Sequence, residues 1–349
     1  MVQDRSRSIS LGMSLLSFAK RARGLLVAVL AWGLIGVGPA AQANGPLRIA
    51  LNDLPGKGML PILVGIEHAR ERGLDIQVSY LNSENIVVQA LRGGLADVGM
   101  GTPYQLVQNN GIALRMFYQL SKLAFFPVVD TRYYASWKEL DGADMYAHGP
   151  GSGTEALVNI LAKRNGIRYR TLHYLPGSGT RAQAMLEGRI KATVLDAERT
   201  QLLVNAAGGY FKALPLGDVS ATDEALFAYE TVIRSRRADI ETLVSAFLGV
   251  WRRMNADPAW LEAERQRLGL LPRLDGEAAA GIVPYITGLV EAGAFAGDGG
   301  AEGVVARDFR FYTDAGTLTG DPADLREEDF WDLEPLRAVI ARESARSGD

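Results

Sequence analysis

The sequence predicts an α/β fold built as two successive units, on three observations. From Leu47 short β-like runs alternate with amphipathic helical segments, and turn-rich loops follow the strands. The alternation restarts near Tyr133, then gives way after Arg236 to helix alone. Leu47–Leu51 reads as a strand, and after the turn-rich Asn52-Asp53-Leu54-Pro55-Gly56-Lys57-Gly58, Met59–Arg72 reads as a helix stopped at Gly73. Asp75–Leu81 alternates, with Ile76, Val78 and Tyr80 on one face. Asn82-Ser83-Glu84 caps a helix over Asn85–Arg92, Gly93-Gly94 ends it, and Asp97–Met100 is a short strand leading to Gly101-Thr102-Pro103 and another helix.

In the second unit, Ser136–Leu140 resembles a capped helical turn and Asp144–His148 a strand. The loop Gly149-Pro150-Gly151-Ser152-Gly153-Thr154 opens a helix from about Glu155 to Asn165, with Gly166 as its stop. Arg170–Tyr174 (strand), Thr180–Glu187 (helix) and Lys191–Leu195 (strand) continue the rhythm, and Leu226–Ile233 is strand-like again. Ile240–Met254, Pro258–Arg267 and Gly276–Gly293 read as helices without strands of their own, so they must pack on an earlier unit. Asp308–Leu336, acidic and punctuated by aromatics, has no assigned role beyond wrapping that unit.

Composition removes whole classes of function. With 349 residues, 48% hydrophobic and 22% charged, the chain is long enough for two or three cored domains and is neither disordered nor coiled coil. Zero cysteines exclude disulfides, a thiol nucleophile, a lipid-bearing N-terminal cysteine and a thiolate metal site; three histidines without an i, i+4 pair leave no zinc motif. Neither a metal nor a cofactor is expected. Residues 1–43 read as a secretory signal: Arg5, Arg7, Lys20, Arg21 and Arg23 precede an apolar run of about 15 residues, short of a spanning helix, which ends in an Ala-x-Ala site at Ala41-Gln42-Ala43. The remainder carries 32 basic residues against 39 acidic ones, which argues against nucleic acid as a partner; with that leader and no later segment long and apolar enough to span a bilayer, the expectation is a soluble protein beyond the inner membrane, in the periplasm.

Gly-Ser-Gly-Thr occurs at Gly151–Thr154 and Gly177–Thr180, each between a strand and a helix. Such a loop serves equally to cap a helix or to bring backbone N–H groups to an anion. The enzyme readings fail. Gly151–Ala156 fits a dinucleotide pattern, but Tyr174-Leu175-Pro176 stands where its acidic residue belongs. Ser152 and Ser178 have proline where a nucleophile elbow needs glycine, and the Lys57 loop lacks the phosphate-loop spacing. No catalytic residue is assigned. His68 is placed on an exposed helix face and His148 near a strand end, while Trp137, Trp251 and Trp331 are read as packing residues.

Three stretches carry a family resemblance: Asn82–Gly101 (NSENIVVQALRGGLADVGMG), the Gly-Ser loop and helix at Gly151–Lys163, and Ala182–Val194 (AQAMLEGRIKATV). In order and spacing, over Leu47 to Ile233, they resemble the type II periplasmic solute-binding proteins of ABC importers, in the group for aliphatic sulfonates, taurine, nitrate and thiamine pyrimidines. That resemblance implies a two-lobed clamshell with the C-terminal helices on lobe one. Lobe one would hold 44–125 plus 233–349 and lobe two 126–232, with crossings near Phe125–Val129 and Leu226–Ile233. It also implies a monomer that binds a small molecule between the lobes and delivers it to an inner-membrane permease and ATPase. Matching positions nominate Asn52, Asp53, Asn82, Ser83, Gly101, Thr102, Ser152, Gly153, Thr154, Asp196 and Glu198 as ligand contacts.

The chain departs from sulfonate-binding relatives at Leu195-Asp196-Ala197-Glu198, where a Trp-Asp-Pro-like segment is usual; a ring is lost and two carboxylates gained. Several carboxylates repel a bare anion, so the expected ligand is small, organic and mixed in charge, such as an aminosulfonate, with Thr102, Ser152 and Thr154 at its acidic end. Asp196 and Glu198 serve equally as caps of the next helix. Other readings are a carrier for a thiamine-precursor pyrimidine or another heterocycle, a binding protein that reports to a sensor, and a TAXI-type receptor of a TRAP transporter, which the Gly149–Glu155 stretch resembles. The thiamine pyrimidine synthases that this fold also resembles depend on a cysteine-rich iron motif, which the chain lacks.

Overall fold

The computed structural model describes residues 45–347 apart from 82, 207 and 218; the leader expected at 1–43 and the candidate Asn82 lie outside the described residues. The first run of elements is β1 (Leu47–Leu51), α1 (Leu60–Glu71), β2 (Ile76–Tyr80), α2 (Glu84–Arg92), β3 (Val98–Gly101), α3 (Tyr104–Asn110) and β4 (Leu114–Lys122). A second follows as β5 (Phe125–Asp130), β6 (Asp144–Ala147), α4 (Gly153–Asn165), β7 (Thr171–Tyr174), α5 (Ser178–Leu186), β8 (Ala192–Asp196), α6 (Ala197–Val204) and β9 (Phe211–Ala213). The chain then closes with β10 (Thr222–Tyr229), α7 (Glu230–Ser235), α8 (Arg237–Ala256), α9 (Trp260–Arg267), α10 (Gly276–Ala280), α11 (Ile282–Glu291), α12 (Val304–Asp314), α13 (Glu327–Phe330) and α14 (Glu334–Ser347).

These elements form two five-stranded sheets of matching order, β2-β1-β3-β10-β4 and β7-β6-β8-β5-β9. In each, four strands run in one direction and the fifth inserts antiparallel among them: β10 between β3 and β4, β5 between β8 and β9. The result is the two-lobed α/β clamshell that the sequence resemblance implies. The chain leaves the first sheet after Lys122, enters the second at Phe125, and returns between Ala213 and Thr222. The return therefore falls earlier than 226–233: Thr222–Tyr229 is already a strand of the first sheet, and Glu230–Ser235 is the helix α7. The adjacent acids Asp223 and Glu224 stand at the start of this strand, and the four residues after them, Ala225–Ala228, are apolar and buried.

Local chemistry sets the helix starts. Ser83, Ser152 and Asp196 have extended backbone, and their side chains accept N–H groups of the first turns of α2, α4 and α6. The C-terminal helices pack on the first sheet. Trp251 of α8 donates its indole N–H to Leu120 O at 2.8 Å. A Cβ on Gly65 of α1 would stand 2.9 Å from the Phe247 ring of α8, so the close crossing of these helices needs glycine there. The 308–336 segment is anchored rather than loosely wrapped. Asp308 accepts Thr222 N at 2.8 Å and the Tyr104 hydroxyl at 2.6 Å, Trp331 donates to the same hydroxyl at 2.7 Å, and Trp331 bridges to Met116 of β4. His68, expected on an exposed face, instead pairs with Glu264 at 2.6 Å beside Trp260. Among the described residues no helix is long and apolar enough to cross a membrane.

Candidate ligand cavity between the sheets

Parallel strands of an α/β sheet present helix N-termini and loops at their carboxyl ends, and ligands bind there. Here the loops after β1 and β8, the end of β4 and the starts of β5 and β10 converge on a cavity of about 350 Å³. Its first wall carries Asn52, Asp53 and Lys57 after β1, Ser121 and Lys122 ending β4, and Asp223 and Glu224 starting β10. Phe125, Asp196, Glu198 and Arg199 face them from the second sheet and α6, while Trp251, Tyr285 and Phe295 close the apolar side.

Adjacent residues of a regular strand point to opposite faces. Asp223 and Glu224 nevertheless both reach the cavity, because the pairing of β10 with β4 shifts register at this point: Thr222 faces Lys122, Glu224 faces Ser121, and Asp223 stands between them without a partner. The irregularity re-aims one side chain, as a β-bulge does. Asn52 Nδ2 donates to both carboxyl oxygens of Glu224 at 3.0 Å, and the Ser121 hydroxyl reaches Asp223 at 3.5 Å. Burial pushes Asp223 up to about 7 against the pull of Ser121, and the charge on Asp196 adds to the rise. Burial likewise drives Glu224 well above the usual carboxylate range, reinforced by Asp223, Glu84 and Asp53. Both keep partial exposure through the cavity itself, so the low-dielectric walls rather than sealing from water suppress their charge.

Behind this pair, Glu84 at the start of α2 accepts Thr102 N at 2.8 Å, and burial pushes it up to about 7. Gly101, with φ +150°, leaves the room: a Cβ there would lie 2.5 Å from Glu84 Cγ. The basic side chains are differently placed. Lys57 and Arg199 both pair with Glu198, joining the loop after β1 to α6 across the cavity. Lys122 pairs with no carboxylate among the described residues. Arg181 lies 1% exposed under the second wall, donating to Val194 O at 3.0 Å and Leu175 O at 2.8 Å, and burial lowers it to about 10. His148 accepts Gly177 N at 3.3 Å, and burial, then Arg181, lowers its pKa.

Of the residues nominated from sequence, Asn52, Asp53, Asp196 and Glu198 line the cavity. Asp196 caps α6 through Arg199 N at 2.7 Å and also lines the cavity. The other nominated residues that are described sit in the supporting layer. Ser83 caps α2, Gly101 makes room for Glu84, and Thr102 holds it through its backbone. Ser152 donates to Gly149 O at 2.7 Å and caps α4, and Thr154 accepts His148 N at 3.0 Å, so both hydroxyls are engaged within their own loop. Gly153 approaches Leu123 and Asp223 without lining the cavity. Sequence reasoning missed Lys57, Lys122, Asp223, Glu224 and Tyr285, and assigned Trp251 to packing alone. The signal available was two acids heading an otherwise apolar strand, Thr-Asp-Glu-Ala-Leu-Phe-Ala-Tyr. Among the described residues no group of His, Asp and Glu side chains is arranged to hold a metal ion.

No protein-family model matches the sequence, and no curated protein matches it. Solved structures do match in fold. A protein from Bordetella bronchiseptica RB50 superposes with TM-score 0.67 at 17% identity, covering 86% of this chain and 98% of its own. The periplasmic nitrate-binding protein NrtA from Synechocystis PCC 6803 gives 0.63 at 11% identity, covering 85% and 89%. The periplasmic aliphatic sulphonate binding protein SsuA from Escherichia coli gives 0.55 at 17%, covering 81% and 94%. With the paired sheet orders and the cavity between them, these likenesses show that the chain has the periplasmic binding protein fold.

Proposed function

We propose that this is an exported solute-binding protein, which captures a small organic ligand between its two lobes and delivers it to the permease and ATPase of an ABC importer without converting it. The observation that carries this reading is the cavity: its walls come from the carboxyl-end loops of both sheets, and Lys57 already bridges from one wall to Glu198 on the other. A site divided in this way binds by closing, since each lobe alone offers half the contacts. For the ligand, an aminosulfonate or similar zwitterion fits the charges on the wall. Asp223 and Glu224 lack a basic partner among the described residues, as does Lys122 a carboxylate, so the acidic end belongs at Lys122 rather than at Thr102, Ser152 and Thr154.

A thiamine-precursor pyrimidine or other heterocycle is favoured by a different feature, the Phe125, Trp251 and Tyr285 rings on the apolar side. The loop that resembles a TAXI-type receptor is occupied with capping α4 and adds no support for that class. Calorimetric titration of taurine, alkanesulfonates and pyrimidines tests the reading. One saturable site per chain with the ligand recovered unchanged supports it, and consumption of the ligand refutes it.

A further inference from the structure

We propose that the Asp223–Glu224 pair is the receptor for a cationic head group, a primary ammonium or amidinium, and that seating this group expels a proton from the pair. The inference rests on the cavity being the ligand site and deepens that reading by naming the head group and what its capture does. Three geometric observations carry it. The register shift in β10 brings two adjacent carboxyls into one cavity, where a regular strand would deliver one. Their partners are neutral, an amide and a hydroxyl. Among the described residues the cations on the same walls are committed to Glu198, except Lys122, which pairs with neither.

The neighbouring acids add to the same field, which Lys122 at the end of β4 opposes. Asp53 faces the pair from the loop after β1 and Glu84 from α2, while Asp196 faces it from the end of β8. The phenol of Tyr285 on α11 is itself held neutral by burial and by the charges of Asp196 and Glu198. Carboxyl groups crowded in this way keep protons at neutral pH, consistent with the upward displacement of both. An incoming ammonium reverses that preference, because an opposite charge within hydrogen-bonding distance favours the carboxylate. The exchange is balanced: one cation enters, and a carboxyl O–H breaks to release its proton to solvent. Affinity for an amine-bearing ligand therefore weakens by up to about tenfold per pH unit below about 7.

The experiment is calorimetric titration of the purified protein with matched pairs that differ only in the charged group: taurine against isethionate, and putrescine against 1,4-butanediol. Each is run at pH 6 and 8, in buffers of low and high ionisation enthalpy. We expect the amine of a pair to bind at least tenfold tighter than its hydroxyl isostere at pH 8, with release of about one proton per ligand near pH 7. Glu224→Gln and Asp223→Asn, which keep shape and remove charge, should each erase the preference of amine over hydroxyl. Equal binding of both members of a pair, no difference between buffers, or an undiminished preference in both variants overturns the inference while leaving the cavity a ligand site. A response to Zn²⁺ alone replaces the organic cation with a metal and overturns it also. Silence to every probe counts against the cavity as a ligand site and takes the inference with it.

Discussion

Replacing Glu84 by Gln should stabilise the ligand-free protein at alkaline pH and do nothing at acid pH. Glu84 is the first residue of α2, enclosed behind Gly101, with Thr102 N at 2.8 Å donating to it. Burial raises it from an ordinary 4.5 to about 7. At about 1.36 kcal/mol per pH unit, ionising it in the folded protein costs about 3 kcal/mol. The N-terminal end of α2 favours the charge by about 0.5–1 kcal/mol, which leaves about 2–3 kcal/mol. The folded carboxyl holds a proton between pH 4.5 and 7 that the unfolded chain has lost, so stability falls as pH rises through that window and is level above it. Gln keeps an oxygen for Thr102 N and carries no charge. The midpoint of thermal unfolding of Glu84→Gln should exceed that of the parent by about 5 °C at pH 8.5 and match it at pH 4.5. A variant equally displaced at both pH values, or less stable than the parent at pH 8.5, would show that Glu84 is ionised and held by contacts other than those described.

Arg181→Met keeps the buried stem but leaves Val194 O and Leu175 O without their donors; urea unfolding should show a loss of about 2–4 kcal/mol. Asp308→Ala removes the acceptor shared by Thr222 N and the Tyr104 hydroxyl, deep in the contact between the C-terminal segment and the first sheet. It should lower stability by about 2–4 kcal/mol, and limited proteolysis should cut within 308–336 sooner than in the parent. Lys57→Ala breaks the link from the loop after β1 to Glu198 on α6, a partly exposed pair worth about 1 kcal/mol. Small-angle scattering of the ligand-free variant should give a larger radius of gyration, whereas an unchanged radius would mean the pair does not hold the lobes together.

The elements legible in the sequence were those whose signals are local. Leu47–Leu51, the caps at Ser83 and Ser152 and the stop at Gly166 each declare themselves within a few residues, and the structure has strands and helices there. Residues 114–130 gave no such signal. β4 is buried on both faces along most of its length, which removes the period-2 alternation, and Pro127 inside β5 argues against a strand until its carbonyl is seen accepting Leu214 N at 2.8 Å. The C-terminal contacts were hidden for another reason: Asp308, Trp331 and Tyr104 are up to 227 residues apart in sequence, and only the folded sheet brings them together.

Half of the candidate site was readable for the same reason. Asn52, Asp53, Asp196 and Glu198 follow strands directly, and a loop at a strand's carboxyl end can be placed from the order of elements. Asp223 and Glu224 could not be placed in this way, because a register shift depends on the partner strand and not on the residues that shift. Ser152 and Thr154 show the converse limit. A glycine-rich loop offers hydroxyls and free N–H groups to a ligand or to its own helix, and here the helix and the loop take them.

The most direct test of the central claim is a thermal-shift screen of the purified, ligand-stripped protein against taurine, alkanesulfonates, nitrate, bicarbonate, aromatic carboxylates and pyrimidines. A ligand at 100 times its Kd adds about 2.7 kcal/mol, enough to raise the unfolding midpoint by several degrees. The account predicts a shift with an amine-bearing organic compound, saturating at one molecule per chain and lost in Glu224→Gln. A shift with nitrate or bicarbonate alone, undiminished in that variant, would contradict it.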